Sequence, residues 1–265
     1  MTEHQDVDHL ARFDRELVRA GRCVVMLDYD GTLAPFGPNV RDVVPYDGVT
    51  ESLDALLDAG GSRLVVVTGR FLKDAPPALR TRTSLEVWGS HGRERLLPDG
   101  TYAVTGIDQG ALRALTVADT WSTAIEAAGG RCEAKPGSLA FHWRGADAAQ
   151  VATIRRLVTE GYHRESLVGV LELHSFDGGL ELRAPGRGKG DVVRTILGET
   201  PEDVPVAYLG DDVTDEDAFA ALKERGLGVL VRPEPRNTGA DVWIRPPDEL
   251  VALLRRWAGL MARTA

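Results

Sequence analysis

Residues 23–33 read CVVMLDYDGTL, an apolar run that ends directly on two aspartates flanking a tyrosine. The run Cys23–Leu27 predicts a strand buried on both faces, the kind found in parallel sheets covered by helices. On extended backbone, residues i and i+2 point to the same side, so Asp28 and Asp30 are expected to face one site. Gly31 and Thr32 then allow the chain to turn sharply away.

The same rhythm recurs outward from this stretch. Val49, Leu53, Leu56 and Leu57 mark one helix face, stopped by Gly60-Gly61. Strand RLVVV (63–67) ends at Thr68-Gly69-Arg70, and LEVW (85–88) runs into Gly89-Ser90-His91-Gly92. Near the C-terminus, Val192, Val193, Ile196 and Leu197 pattern a helix. Strand VAYL (206–209) ends at Gly210-Asp211-Asp212, and a helix carrying Ala218, Phe219 and Leu222 follows. Short strands at 228–231 and 242–244 and a last helix with Leu250, Leu253, Leu254 and Trp257 complete the pattern. Buried strands alternating with amphipathic helices predict a parallel α/β sheet, and ligands of such sheets bind beyond the C-terminal strand ends. Asp28–Asp30, Thr68–Arg70 and Asp211–Asp215 all fall at those ends.

Residues 97–180 differ in texture. A helical stretch over 110–128 precedes the strand-like RCEAKPGSLAFHWR, and a second helix carries Val151, Ile154, Leu157 and Val158. The runs LVGVLELH and GLELRA follow, separated by the hairpin signal Ser175-Phe176-Asp177-Gly178-Gly179. This αββαββ order predicts a small α/β unit inserted into the larger domain: 1–96 and 181–265 form the core, 97–180 the insertion. Alternation along the inserted strands sets His142 and Arg144 on one face and Leu139, Phe141 and Trp143 on the other, with Glu181 and Arg183 alternating with Leu180 and Leu182.

Paired acids at a strand end suit phosphoryl transfer. One carboxylate attacks phosphorus, and the other protonates the departing alcohol and then helps water hydrolyse the aspartyl phosphate. Both the acids and the phosphoryl group need a cation, and Mg²⁺ prefers hard oxygen ligands. Asp28, the carbonyl of Asp30 and Asp211 are candidate metal ligands, with Asp212 and Asp215 as further ligand candidates. Lys189, in GRGKGD, offers a point charge to phosphate and nucleophile, and Thr68 offers a hydroxyl and an N–H. Bland readings of the same residues exist: Asp212 can cap a helix, Thr68 can sit in a turn, and Lys189 can be solvated.

The composition agrees with a small-molecule enzyme. The chain has 265 residues, 43% of them hydrophobic, enough for one large core and a satellite domain. A net charge of −9 argues against a general nucleic-acid binder. The two cysteines, Cys23 and Cys132, lack metal-binding or redox spacing. The polar N-terminal stretch does not read as a signal peptide, and no apolar run is long enough to span a bilayer. A cytoplasmic location without membrane or nucleic-acid partners is the expectation.

At this point the residues resemble the haloacid dehalogenase superfamily of phosphatases. Its four motifs are matched by Asp28-Tyr29-Asp30-Gly31-Thr32-Leu33, by Thr68-Gly69-Arg70, by Lys189, and by Gly210-Asp211-Asp212 with Asp215. A narrower likeness, to trehalose-6-phosphate phosphatases, rests on LDYDGTL, GSHG (89–92), FHWR, ELRAPGRGKG and YLGDDVTDEDAF. The resemblance implies a Rossmann-like parallel-sheet core with an inserted α/β cap domain of the C2B type. It further implies Asp28 as nucleophile, Asp30 as general acid/base, Mg²⁺ as cofactor and a sugar phosphate as substrate, within trehalose biosynthesis. It makes Gly69, Arg70, His91, Lys135, His142, Arg144 and Glu181 substrate-facing, with Asn39 a further candidate. Trp143 and Ala184-Pro185 depart from the more usual HYR and RP. Two other readings of the chain are a phosphatase of another phosphorylated disaccharide, pseudo-disaccharide or glycosylglycerate, and a non-catalytic sugar-phosphate binding module.

Overall fold

The computed structural model describes residues 3–37, 40–73, 78–79, 81–176, 178–223 and 225–263. Strand β1 (Cys23–Leu27) is buried along its whole length. Its residues alternate between two apolar layers: Cys23, Val25 and Leu27 enter one, Val24 and Met26 the other. That alternation is what a strand covered on both faces requires. β1 pairs in parallel with β2 (Ser62–Val67) on one side and β10 (Val206–Gly210) on the other. With β3 (Glu86–Gly89), β4 (Glu94–Leu96), β5 (Tyr102–Val104), β11 (Leu227–Val231) and β12 (Val242–Ile244) they form an eight-stranded sheet, ordered β12-β11-β10-β1-β2-β3-β4-β5.

One face of this sheet is covered by α1 (Glu3–Ala20), α2 (Val49–Asp58) and α8 (Asp248–Met261), whose Phe13, Leu53, Leu254 and Trp257 are buried there. The other face is covered by α6 (Lys189–Glu199) and α7 (Glu216–Leu222), through Val193, Ile196, Phe219 and Leu222. The expected α/β architecture with an inserted unit is present.

A second sheet, ordered β6-β7-β9-β8, is antiparallel throughout. Its strands are β6 (Arg131–Lys135), β7 (Ser138–His142), β8 (Glu172–Phe176) and β9 (Gly179–Arg183). Leu139, Phe141, Leu180 and Leu182 pack one face against α3 (Gln109–Asp119), α4 (Ser122–Ala127) and α5 (Ala148–Arg164). The chain divides into two units, residues 1–103 with 188–265 and residues 104–187. The boundary expected at 180 falls inside β9. That strand pairs along its whole length with β7 and β8, so Glu181 goes with the four-stranded sheet.

Several details differ from the sequence reading. The polar N-terminal segment is helix α1, held by Phe13 and Leu17 on a stripe that its charged residues obscure. The stretch 110–128 breaks at Thr120-Trp121 into α3 and α4. In LVGVLELH the strand begins only at Glu172, and Val168 and Val170 are exposed. Asn39 lies outside the described residues.

Candidate active site

Register alone brings the first two acids together. Leu27 of β1 lies opposite Leu209 of β10, and the Asp28 N–H continues the ladder to the Leu209 carbonyl at 2.9 Å. Asp28 therefore leaves β1 beside Asp211, which follows β10. Gly31, at φ +91°, makes the approach possible: a Cβ there would lie 2.2 Å from Asp211 Oδ2. A side chain at that position would be both strained and overlapped.

Lys189 reaches the same point from the first turn of α6. Its ammonium is 2.8 Å from Asp28 Oδ1 and 2.7 Å from Asp215 Oδ1, and all three side chains are buried. Asp215 ends the 3-10 turn Val213–Asp215 and is fully engaged. Its Oδ1 also accepts the Tyr208 hydroxyl at 2.6 Å, and its Oδ2 accepts the Asp211 and Asp212 N–H groups at 3.1 and 2.9 Å. Thr32 Oγ1 lies 3.4 Å from Asp28 Oδ2 and 3.5 Å from Asp211 Oδ1.

Three carboxylates around one ammonium leave the group short of positive charge. Burial, opposed by Lys189, pushes Asp28 up to about 7, and burial with the neighbouring Asp28 and Asp215 pushes Asp211 up to about 10. Burial works to lower the Lys189 ammonium, but Asp215 and Asp28 outweigh it and hold it above its ordinary value.

One oxygen from each of Asp28, Asp211 and Asp215 lies within 4.8 Å of the others, a hard-oxygen donor set that can hold a metal ion. Asp30 and Asp212 are not in this group. Asp212 caps the following turn instead, its Oδ1 accepting the Val213 N–H at 2.7 Å. Asp30 is held by a bidentate fork, with Arg70 Nε at 2.7 Å from Oδ2 and a terminal Arg70 nitrogen at 2.6 Å from Oδ1. The Arg70 guanidinium also lies over the Tyr29 ring, 4.5 Å from its centroid.

Thr68 is buried at the end of β2, and its Oγ1 accepts the Arg70 N–H at 3.2 Å. The 3-10 turn Ser90–Gly92 is zipped to this loop: the His91 N–H donates to the Thr68 carbonyl at 3.1 Å and the Ser90 N–H to the Arg70 carbonyl at 2.7 Å. Gly69 lies beneath the His91 ring, where a Cβ would come within 2.5 Å of the imidazole.

The remaining candidates sit on the polar face of the four-stranded sheet. Glu181, 1% exposed, accepts from Lys135 Nζ at 3.1 Å, Ser138 Oγ at 2.8 Å and Arg183 Nε at 2.7 Å. His142 pairs with Glu133 at 2.8 Å. Burial opposes ionisation of Glu133, but His142, Lys135 and Arg131 outweigh it and bring its carboxyl down to about 2. Arg144 is exposed just past the end of β7, its side chain alongside Gly178.

A family model described as Trehalose-phosphatase matches residues 26–241, from the end of β1 to the start of β12, and so takes in every candidate named above. The chain belongs to the trehalose-phosphatase family. An uncharacterized glycosyl hydrolase of Mycobacterium tuberculosis is 33% identical over 82% of this chain and 17% of its own length. A trehalose-phosphate phosphatase of Mycobacterium ulcerans is 30% identical over 80% of this chain and 54% of its own. The chain thus spans about half or less of these two relatives. The C-terminal domain of a Candida albicans trehalose-6-phosphate phosphatase shares the fold, with a TM-score of 0.77 at 20% identity over 94% of this chain and 96% of that one. A Bacteroides thetaiotaomicron phosphatase described as a member of the haloalkanoate (HAD) enzyme superfamily shares the fold too, with a TM-score of 0.60 at 17% identity over 90% of this chain and 96% of that one.

In this member of the trehalose-phosphatase family, several groups around the site carry no signal in the sequence reading. Tyr208 and Thr32 read as ordinary strand and turn residues. Arg232 and Arg236 hold the acid loop from behind, donating to the Asp211 carbonyl at 3.1 Å and the Asp212 carbonyl at 2.8 Å. Glu94 is buried one residue past the Gly92-Arg93 step.

Proposed function

We propose that this chain is a Mg²⁺-dependent phosphatase that hydrolyses trehalose 6-phosphate to trehalose and phosphate through an aspartyl phosphate on Asp28. The observation that carries the reading is the buried group of Asp28, Asp211 and Asp215 around Lys189, in a chain whose family model spans it. A binding module has no use for a nucleophile buried among acids, which costs stability unless function requires it.

Asp28 and Asp211 fit a divalent ion as ligands, by their oxygen chemistry and by charge that Lys189 alone does not compensate, with Asp215 beside them holding Lys189 and the Asp211-Asp212 backbone. Bound there, Mg²⁺ supplies charge neutralisation and a Lewis acid for the phosphoryl oxygens. Asp28 attacks phosphorus in line with the sugar oxygen, and Lys189 holds the attacking carboxylate in place. Asp30 gives a proton to the departing sugar oxygen. Both its oxygens are engaged by Arg70, so donation requires one of those hydrogen bonds to be exchanged for the sugar oxygen. Asp30 then takes a proton from the water that attacks phosphorus and frees Asp28. Thr68, with His91 and Gly69 beside it, holds the transferring group. Sugar recognition falls to Glu181, Lys135, His142 and Arg144, whose directional donors and acceptors match hydroxyl groups.

The test is phosphate release from a panel of phosphorylated disaccharides, monosaccharides and glycosylglycerates, with Mg²⁺ and with chelator. Metal-dependent release that is fastest from trehalose 6-phosphate is the expected result. Faster release from another sugar phosphate reassigns the substrate, and tight binding without release from any member defeats the catalytic reading.

A further inference from the structure

Glu94 is fully buried, and its carboxylate has three hydrogen-bond donors and no cation among the described hydrogen bonds and ion pairs. Burying an ionisable side chain without a counter-charge is unfavourable, and sequences keep such groups where they organise something. The donors identify what is organised. Oε2 accepts the Leu72 N–H at 3.1 Å and the Ser90 hydroxyl at 2.6 Å, and Oε1 accepts the Tyr102 hydroxyl at 2.7 Å. Leu72 follows the Thr68-Gly69-Arg70 loop, and Ser90 begins the turn that carries His91. One carboxylate oxygen therefore ties the two loops together, and the other anchors them to the sheet edge at β5.

The tie acts on backbone that would not hold its shape alone. Ser90 and His91 both sit in the left-handed region, at φ 47° and 53°, which a residue with a Cβ occupies only under constraint. Gly89, just before them, is pressed against Leu72, where a Cβ would lie 2.3 Å from Leu72 Cγ. The Ser90 and His91 N–H groups reach the carbonyls of Arg70 and Thr68, so a shift of the turn is a shift of the loop that carries the fork on Asp30.

We propose that Glu94 is a positioning residue: it holds the Thr68–Arg70 loop and the Ser90–His91 turn in one catalytic geometry without touching substrate itself. The inference rests on the phosphatase reading above. Glu94→Gln retains an oxygen that accepts from Leu72 and Ser90 and gains an amide N–H that can donate to the Tyr102 hydroxyl oxygen, whereas Glu94→Leu removes all three bonds. The expected result for folded Glu94→Leu is a loss in kcat of about 10–100-fold, the scale of a small misplacement of catalytic groups. The Mg²⁺ concentration for half-activation stays at the wild-type value, because the acid group is on other elements. Glu94→Gln recovers to within about threefold of wild type, the size of one weakened neutral hydrogen bond. Amide exchange in Glu94→Leu quickens at Leu72 and Ser90 and is unchanged in β1.

An unchanged kcat in folded Glu94→Leu overturns the inference. So does a Glu94→Gln as impaired as Glu94→Leu, or a Mg²⁺ requirement that moves in step with kcat, which marks general loosening. If Glu94→Leu does not fold, Ser90→Ala removes one donor, leaves the carboxylate, and carries the same test at smaller amplitude. Wild-type protein that releases no phosphate from any sugar phosphate defeats the functional reading and not this one. Affinity for inorganic phosphate, measured by calorimetry, then replaces kcat with the same order of variants expected.

Discussion

Replacing Lys189 with Met removes the ammonium that, among the described residues, pairs with Asp28 and Asp215 in a pocket that also holds Asp211, all buried. The hydrogen bonds at 2.8 and 2.7 Å to Asp28 and Asp215 vanish, and the carboxylates are left facing one another. Removing one partner of a buried ion pair costs about 3–5 kcal/mol, because the remaining charge is stranded in low dielectric. For a chain of this size that corresponds to a fall in Tm of about 6–20 °C. The penalty is pH-dependent: protonation relieves it, so the variant sits closer to wild type at pH 6 than at pH 8. It is also metal-dependent. With the ammonium gone the acid group is one charge more negative, so Mg²⁺ binds it more tightly and raises the variant's Tm by more than it raises wild type's. Thermal and urea unfolding at the two pH values, in chelator and in excess Mg²⁺, measure all of this. A variant within about 1 kcal/mol of wild type at pH 8 in chelator refutes the premise that these charges are buried together. A Mg²⁺ stabilisation no greater than wild type's refutes the premise that the metal shares their pocket.

Three further outcomes follow from the same geometry. In chelator, stability of the wild-type protein declines as pH rises from about 4 through 7 and on toward 10, because Asp28 and Asp211 are raised in the folded state and must ionise there at a cost; Mg²⁺ flattens the decline, and a metal-free stability that rises over this range contradicts the charge accounting. Gly31→Ala places a methyl 2.2 Å from Asp211 Oδ2 on left-handed backbone, so it weakens Mg²⁺ binding by at least about tenfold, read by calorimetry, and wild-type affinity disproves the close approach. Glu181→Ala leaves Lys135 and Arg183 without their shared carboxylate, so kcat/KM for the disaccharide phosphate falls by about 10–100-fold while that for a small aryl phosphate changes little. Equal losses on the two substrates remove Glu181 from sugar recognition.

How much of this was legible in the sequence varies with how each residue is held. Asp28 and Asp211 were readable because each ends an uninterrupted apolar run, and a parallel sheet brings such ends together whatever the loops do. Asp215 and Lys189 were readable as candidates only. Their engagement depends on the angle at which the 3-10 turn and α6 meet the sheet, and no local pattern records that. Asp212 looks the same as Asp211 in sequence, but its extended backbone turns the carboxylate to a cap. The β4–β5 edge carries no strand pattern in the sequence because its strands are three residues long and include Glu94 and Arg95, which offer no apolar alternation. Glu94 was invisible for the same reason: a buried carboxylate is defined by donors from segments 22 residues before it and 8 after it. The run LVGV shows the opposite failure. Its apolar residues suggest a strand, but the pairing recorded there among the described residues is an isolated bridge between Val168 and Leu171, and Val168 and Val170 are left at the surface.

The central claim, that Asp28 itself takes the phosphoryl group, is tested most directly by trapping. Wild-type protein mixed with trehalose 6-phosphate and Mg²⁺, quenched in acid and reduced with borohydride, converts an acyl phosphate to homoserine. Peptide mass spectrometry is predicted to find homoserine at position 28. Phosphate release with homoserine at Asp30 or Asp211, or with none anywhere across a full quench time course, contradicts it.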